Sequence, residues 1–431
     1  METNPTRMCE LLVGLPDVNV LGVEDIPGGP LRVHVELRAS TVGCPECGVV
    51  AHVKDRYQVE LVDLPAFGRW TRLVWHKRRW RCPDPDCPMG SWSEQDSRIA
   101  ASRQALSDRA GRWATRQVGE SASSVNKVAD ELGCDWHTVN DAVVAYGTAL
   151  VDDDTKRYGL VRALGLDETL FVREGEYHRQ RFSTQVVDVE RGQLLDVVPG
   201  RSGVEPTTWL NAQGPAFLAH VAYATLDLSG PYRAVFDATL PYATQVADPF
   251  HVVKLANQKL DECRRRVQVE VFGHRGHKSD PLYRARRLLT MADERLVDKG
   301  REKLLGLLAA GDPKSEVATA WHAKEVVRSI YTLDNEIVAR VFVERLGTDL
   351  QDESSPPEVR SLGRTLLRWR DQIVAWHEAH FTNAGSETMN NLIKRTKRAA
   401  FGFRSFTNYR VRALLYAGKP NWDLLATVTP R

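Results

Sequence analysis

A chain of 431 residues, 42% of them hydrophobic, can bury more than one core, so roughly two to four domains are expected. No apolar run approaches the roughly 18 residues of a membrane span. Residues 1–7 lack the basic-then-apolar start of a secretory signal, and seven cysteines that include two close pairs do not make an evenly spread disulfide framework, so a reducing cytoplasm without a membrane partner is expected. The net charge of +2 announces no nucleic-acid partner, which leaves that argument to local clusters.

Two cysteine pairs come first: Cys44-Pro45-Glu46-Cys47-Gly48 and Cys82-Pro83-Asp84-Pro85-Asp86-Cys87. Pro and Gly permit the tight turns that aim paired thiolates at one ion, and four thiolates close a tetrahedral structural Zn²⁺ site. The spacing is uneven, CxxC against CxxxxC, and two unrelated thiol pairs are the alternative. The stretch 72–81 alternates like a strand and is strongly basic, which makes Arg78 and Arg79 candidate DNA contacts. Residues 1–100 are therefore read as a zinc-ribbon domain. Cys9, Cys134 and Cys263 read as ordinary buried thiols.

Residues 101–152 turn helical. A first helix over 124–132, a turn at Gly133 and a second helix from Asp135 give a helix-turn-helix pattern, with Val125, Ala129, Leu132, Val139 and Val143 as its buried stripe. Asp135, Trp136, His137 and Asn140 are left to face a groove or a phosphate; a plain helical hairpin is the alternative. Asp152-Asp153-Asp154 then reads as a solvated linker.

Residues 158–255 alternate strands and helices. Strands are expected over 160–167, 179–187, 193–198, 221–226 and 245–247, with helices around 207–210 and 232–237 and another after the last strand. The order β-β-β-α-β-α-β-α is that of the ribonuclease H fold, in which the first and fourth strands lie side by side. Asp167 and Asp227 each close a short apolar run, so that pairing would bring the two carboxylates together. Glu168, Asp188, Asp196 and Asp237 are rival acids; Asp237 ranks lower because it lies inside a helix.

Residues 256–380 read as a basic helical insertion in which Arg264, Arg265 and Arg266 are the best candidates for phosphate contact. His274 and His277 with Cys263 fit no defined metal spacing. The final piece, 381–431, carries Glu387 on a helix, then Lys394, Arg395, Lys397 and Arg398, then Phe401-Gly402-Phe403-Arg404-Ser405-Phe406, where cations interleave with aromatics as for gripping a DNA end; core packing of those aromatics is the alternative. Asp167, Asp227 and Glu387 together look like a DDE triad able to hold two Mg²⁺ (or Mn²⁺) ions, since hard carboxylates suit hard cations. No nucleophile arrangement of the kind a tyrosine or serine recombinase needs stands out.

Taken together, the cysteine pairs, the helical hairpin, Leu166-Asp167-Glu168-Thr169, Asp227-Leu228-Ser229-Gly230-Pro231-Tyr232, Asp248-Pro249-Phe250-His251 and Ser386-Glu387-Thr388-Met389-Asn390-Asn391 resemble the bacterial insertion-sequence DDE transposases of the ISL-three group along nearly the whole chain. The resemblance implies a mixed, multidomain α/β protein: a zinc ribbon and a helix-turn-helix, then a ribonuclease-H-like catalytic core with a large all-helical insertion. It implies binding of terminal inverted repeats in double-stranded DNA, metal-dependent strand cleavage and strand transfer, a homodimer at synapsis, and a place at the nucleoid. Asp248 and His251 match the family's [C/D]-x-x-H segment and are auxiliary candidates; a helix-capping Asp beside a packed His is the alternative. A ribonuclease-H-like nuclease without strand transfer and an inactive DNA-binding regulator are the competing functions.

Overall fold

The computed structural model describes residues 1–177 and 179–430. Two compact units divide the chain: residues 1–159 with 391–431, and residues 160–390.

In the first unit, α1 (Pro5–Val13) precedes β1 (Val18–Asp25), β2 (Leu31–Leu37), β3 (His52–Ala66), β4 (Arg69–Arg81) and β5 (Ser91–Ser93). They form a mixed sheet in the order β1-β2-β4-β3 with β5 on β4; β2 and β4 run parallel and the other pairs antiparallel. Alternation decides the buried face: Leu73 and Trp75 of β4 meet Val33 and Val35 of β2 and Leu61 of β3 in one core. The β3–β4 hairpin turns at Phe67 and Gly68, both at positive φ, the twist a tight hairpin requires. Because His52 pairs with Arg81, the pair before β3 and the pair after β4 arrive at the same end of the hairpin.

Three helices follow: α2 (Asp108–Gly119), α3 (Val125–Leu132) and α4 (Trp136–Asp153). Their starts are set by side-chain caps, Ser107 accepting from the Ala110 N–H, Ser124 from Lys127 and Asp135 from Thr138. Gly133 ends α3 at φ 63°, and a Cβ there would meet the Trp70 ring at 2.4 Å. All five residues of the expected apolar stripe are buried in one core with Tyr146 of α4 and with Val411 and Leu415 from the chain's end. The structure departs from the linker reading at 152–154. Asp152 and Asp153 continue α4, and Asp154 is buried and accepts from the Asn421 N–H, a partner too remote in sequence for a local charge run to reveal. Cys263 is buried as expected, but Cys9 and Cys134 are only half-buried.

The second unit opens with β6 (Ala163–Glu174), β7 (Arg179–Asp188) and β8 (Gln193–Pro199), an antiparallel meander. Then come α5 (Val204–Asn211), α6 (Pro215–His220), β9 (Tyr223–Leu226), α7 (Gly230–Thr239), β10 (Thr244–Ala247) and α8 (Pro249–Phe272). The sheet order is β10-β9-β6-β7-β8, with β10, β9 and β6 parallel. The expected pairing of first and fourth strands is therefore present. Two details differ from expectation: α6, started by Pro215, was not anticipated, and β6 continues past Asp167 to Glu174 because β7 keeps pairing with it.

Helices α9 (Pro281–Thr290), α10 (Asp298–Gly311), α11 (Glu316–Ser329), α12 (Glu336–Asp349) and α13 (Pro357–Arg368) follow. The first three pack on α8 around Leu260, Cys263, Val267, Leu282, Leu304 and Val317. Short α14 (Arg370–Val374) and α15 (Trp376–Ala379) lead to α16 (Ala384–Ala399), inside which the division between the units falls, and α17 (Phe406–Ala417) closes the helical core of the first unit. Among the described residues no helix is long and apolar enough to cross a membrane.

Candidate functional site

The parallel strands β9 and β10 end level with one another beside the middle of β6, and an acid stands on each of the three at that level. The β6–β9 ladder pairs Gly165 with Thr225, so Asp167 and Asp227 each lie two residues further along neighbouring strands. The β9–β10 ladder pairs Leu226 with Ala247, which puts Asp248 level with Asp227. Asp167 is inside β6, but only its β7 edge is paired there; β9 has already ended, and the other edge is open.

A close crossing brings Glu387 to this edge. A Cβ at Gly165 would stand 2.6 Å from both Ser386 Oγ and Val189 Cγ1, and one at Gly385 would stand 2.9 Å from the Val189 backbone. Only hydrogen at both positions lets the first turn of α16 lie against β6. Glu387 and Asn390 are three apart and share a helix face. Asn390 donates from Nδ2 to Asp167 Oδ2 at 2.7 Å and accepts from the Thr169 hydroxyl at 2.6 Å, which orients its amide. Asn383, one residue before α16, donates its backbone N–H to Asp248 Oδ1 at 3.0 Å. The positioning roles of Asn383 and Asn390 escape a reading of acids alone; the signal was the i, i+3 spacing of Glu387 and Asn390.

Asp248 caps α8, accepting from the His251 N–H at 3.3 Å and from its Nδ1 at 2.9 Å. With Asn383 on the other oxygen, both oxygens of this nearly fully buried carboxylate are engaged. The bond to Asp248, outweighing burial, raises the His251 imidazole above its ordinary range. Three of the four rival acids are engaged elsewhere, Asp188 accepting from Arg191, Asp196 from the Trp209 indole N–H and Asp237 from Gln245; Glu168 stays beside the site, raised by burial and by Asp227 against the pull of Arg201.

The electrostatics ask for a cation. Burial first, then the charges of Asp227 and Glu387, push the Asp167 carboxyl up to about 6, against the pull of the Glu168 N–H and of His251. Burial likewise raises Asp227, against His251 and Lys254. Asp227 Oδ1 is buried with no hydrogen-bond partner. An all-oxygen donor set with an orphaned acceptor and like charges that raise one another fits a hard divalent ion. The three carboxylates do not close to within 4.8 Å of one another; among the described residues only Cys44, Cys47, Cys82 and Cys87 form so tight a set of ligand atoms. There Cys44 and Cys87 Sγ are 3.7 Å apart and Cys47 and Cys82 Sγ 3.5 Å apart, each pair joining one knuckle to the other. Soft thiolates at these separations suit a tetrahedral Zn²⁺.

The profile of the ISL3-type DDE transposase family, described as a transposase, matches residues 164–413, more than half of the chain. The chain belongs to this family. The zinc finger of the transposases of IS204, IS1001, IS1096 and IS1165 matches residues 40–87, which supports a structural Zn²⁺ on the four cysteines. The transposase for insertion sequence element IS1557 of Mycobacterium tuberculosis strain H37Rv is 28% identical over 304 residues; the match spans 66% of each chain, just under two thirds of the relative's length. The transposase for insertion sequence element IS1001 of Bordetella parapertussis is 25% identical over 417 residues, 92% of this chain and 95% of that one.

In this ISL3-family chain the basic residues singled out by sequence divide into exposed and buried groups. Arg78 is buried, donating to Glu94 at 3.0 Å and to the Leu37 carbonyl at 2.6 Å, so it holds the sheet and is not offered to solvent. Arg79 is half exposed. Arg264 is buried against Asp261, and Arg266 bridges Glu270, Glu316 and Glu358; of the triple only Arg265 is well exposed, and it too pairs with Asp261. The expectation of a basic DNA face at 264–266 is corrected accordingly, because acids from α11 and α13, remote in sequence, neutralise Arg266. Trp136 and His137 are exposed, whereas Asn140 is buried and accepts from Asn408, contrary to its expected outward placement. Lys394, Arg395, Arg398 and Arg404 are exposed and Lys397 half-buried.

Proposed function

We propose that this chain is an active insertion-sequence transposase: it binds the terminal inverted repeats of its element in double-stranded DNA and carries out divalent-metal-dependent strand cleavage and strand transfer. Its catalytic core, residues 158–255 with the helix carrying Glu387, is read as ribonuclease-H-like, and α3–α4 as a helix-turn-helix. The observation that carries the proposal is the convergence at one sheet edge of Asp167, Asp227 and Glu387, with a buried Asp227 oxygen lacking a partner.

Asp167, Asp227 and Glu387 would hold two Mg²⁺ or Mn²⁺ ions, which when bound activate an attacking oxygen and stabilise a departing one at a phosphodiester. The chain's own contribution is preorganisation. Asn390, set by Thr169, fixes the Asp167 carboxylate, and Asp248 anchors both the loop before α16 and the His251 ring. His251 and Lys254 supply positive charge beside Asp227, where they also suit a DNA phosphate. The zinc ribbon and the exposed Trp136 and His137 at the start of α4 support recognition of the repeats, and the exposed Lys394, Arg395, Arg398 and Arg404 support a grip on the DNA backbone. Cutting two ends calls for a homodimer, and such work places the protein at the nucleoid.

The test is cleavage and joining of terminal-repeat DNA with Mg²⁺, comparing the wild type with Asp167→Ala, Asp227→Ala and Glu387→Ala. Both reactions are expected in the wild type and loss of at least roughly 1,000-fold in each variant, while DNA binding persists. Nicking without joining would favour a nuclease, and binding without cleavage an inactive regulator.

A further inference from the structure

Past the acidic edge the sheet of the second unit narrows to two strands. β9 leaves β6 after the pair Gly165–Thr225, and β8 leaves β7 at the pair Ser183–Pro199, whereas β6 and β7 stay paired as far as Glu174 and Arg179. The ribbon so formed projects about 20 Å beyond Asp167, at roughly 3.3 Å per residue along β7 from Gln185, opposite Asp167, to Arg179. Phe171, at the register shift in β6, is 2% exposed and anchors the base of the ribbon. From Arg173 to Arg181 every described residue is exposed, and Tyr177 in the connecting turn is 93% exposed. A free two-stranded hairpin is marginally stable in water, so burial does not account for this length.

Charge placement indicates what the ribbon meets. Residues directly opposite one another share a face, so Arg181 (opposite Val172) and Arg179 (opposite Glu174) stand on the face that carries Asp167. Arg173, opposite Gln180, is on the other face. There Arg201, from the loop after β8, stands over the Phe182 ring at 4.5 Å. The acids of the ribbon are Glu174 and Glu176, and Glu174 is spent on Arg181 at 2.9 Å, an exposed pair that a phosphate displaces at little cost. Arg173 and Arg179 have no ion pair among the described residues. A flat partner would meet one face of such a ribbon and leave the cations of the other unused. A groove with an anionic wall on each side meets both, and the major groove of B-DNA, about 12 Å wide, admits a two-stranded ribbon.

We propose that the β6–β7 ribbon enters the major groove of the duplex that carries the scissile phosphate, Arg179 and Arg181 meeting one phosphate wall and Arg173 and Arg201 the other. The proposal rests on the reading of the chain as a DNA-cutting protein and adds to it the surface along which the duplex leaves the acidic edge. With a ribbon of this length and a rise of about 3.4 Å per base pair, its contacts fall within roughly the first eight pairs from the cut. These arginines are positioning residues: they hold the duplex in line with Asp167 and read no particular base.

The experiment uses the full chain on terminal-repeat duplex without divalent metal, so that no strand is cut. A photoreactive benzoylphenylalanine in place of Tyr177 is expected to crosslink bases within about eight pairs of the repeat's outer end and none further in. Even scatter along the duplex, or no crosslink, overturns the proposal. Arg173→Gln combined with Arg179→Gln should weaken binding by about 10-fold and lower the slope of log affinity against log salt by about 2, one phosphate contact for each arginine. An unchanged slope overturns it. Glu174→Gln serves as the control for a merely structural ribbon: affinity equal to or tighter than wild type is expected, and a loss matching that of the arginine variant overturns the proposal. Localised crosslinks in a chain that fails to cut the repeats with Mg²⁺ would sink the proposed activity and keep the ribbon, while normal cutting with scattered crosslinks would sink the ribbon alone.

Discussion

Asp167 shows how a single carboxylate reports on its surroundings. Its pKa is raised to about 6 by burial and by neighbouring acids, and a raised carboxyl pKa means that its ionisation opposes folding. The stability tied to this group is therefore fully present below its ordinary value of 3.8 and is lost as pH rises through about 6. In metal-free protein at pH 7.5, Asp167→Asn is expected to raise stability by on the order of 2 kcal/mol after allowance for partial solvent screening, with the gain vanishing near pH 4. Thermal melts across that range check it. Added Mg²⁺ should raise the wild-type Tm and leave Asp167→Asn almost unmoved, with the wild-type effect fading as pH falls through 6, because protons compete for the ligand oxygens. A variant no more stable than wild type at pH 7.5 would mean that the charges near Asp167 are better compensated than the geometry indicates.

At the scale of elements, the site depends on one crossing, that of the α16 N-terminus over β6. The strands β6 and β9 are recognisable from their apolar runs, and α16 from its helical pattern, but their approach rests on the bare Cα atoms of Gly165 and Gly385. Gly165→Ala is expected to push Ser386 and the following turn away, at about 1 to 3 kcal/mol from overpacking. The loss in DNA cleavage should be disproportionate, about 100-fold, since a displacement near 1 Å at a preorganised site has that effect. Cleavage rates measured well below the variant's Tm separate the two contributions. Cleavage within a few-fold of wild type would show that α16 need not approach so closely. The same scale explains the expected linker at 152–154, where Asp152 and Asp153 extend α4 and Asp154 is buried: three aspartates carry no local signal of a partner more than 250 residues away.

For the whole molecule, the acidic edge belongs to the second unit and the thiolate cluster to the first. The first unit is built from two stretches far apart in sequence and the second from one continuous stretch, and each holds its own candidate metal centre. Cys47→Ser is expected to lower zinc content from one ion per chain to near zero and to lower the Tm of the first unit, because the zinc joins the segments flanking the β3–β4 hairpin. Mg²⁺-dependent stabilisation through the acidic edge should survive. Elemental analysis alongside calorimetry decides; a wild-type protein free of zinc after purification in zinc-supplemented buffer would remove the structural metal.

Much of this architecture was readable in one dimension. The apolar runs ending at Asp167 and Asp227, the chelating cysteine pairs and the buried stripe of α3 and α4 are short-range patterns, and the backbone periods of 2 and 3.6 residues make such patterns visible without a fold. What the tertiary structure decided are matters of through-space neighbours: that Asn390 and Asn383 hold the acidic edge in place, that Glu316 and Glu358 neutralise Arg266, and that Asn140 turns inward to Asn408. The reason is physical. A side chain's identity sets what chemistry it can do, but burial and the partners brought from distant segments determine whether its charge or hydrogen bonds are spent inside the protein or remain available to a ligand.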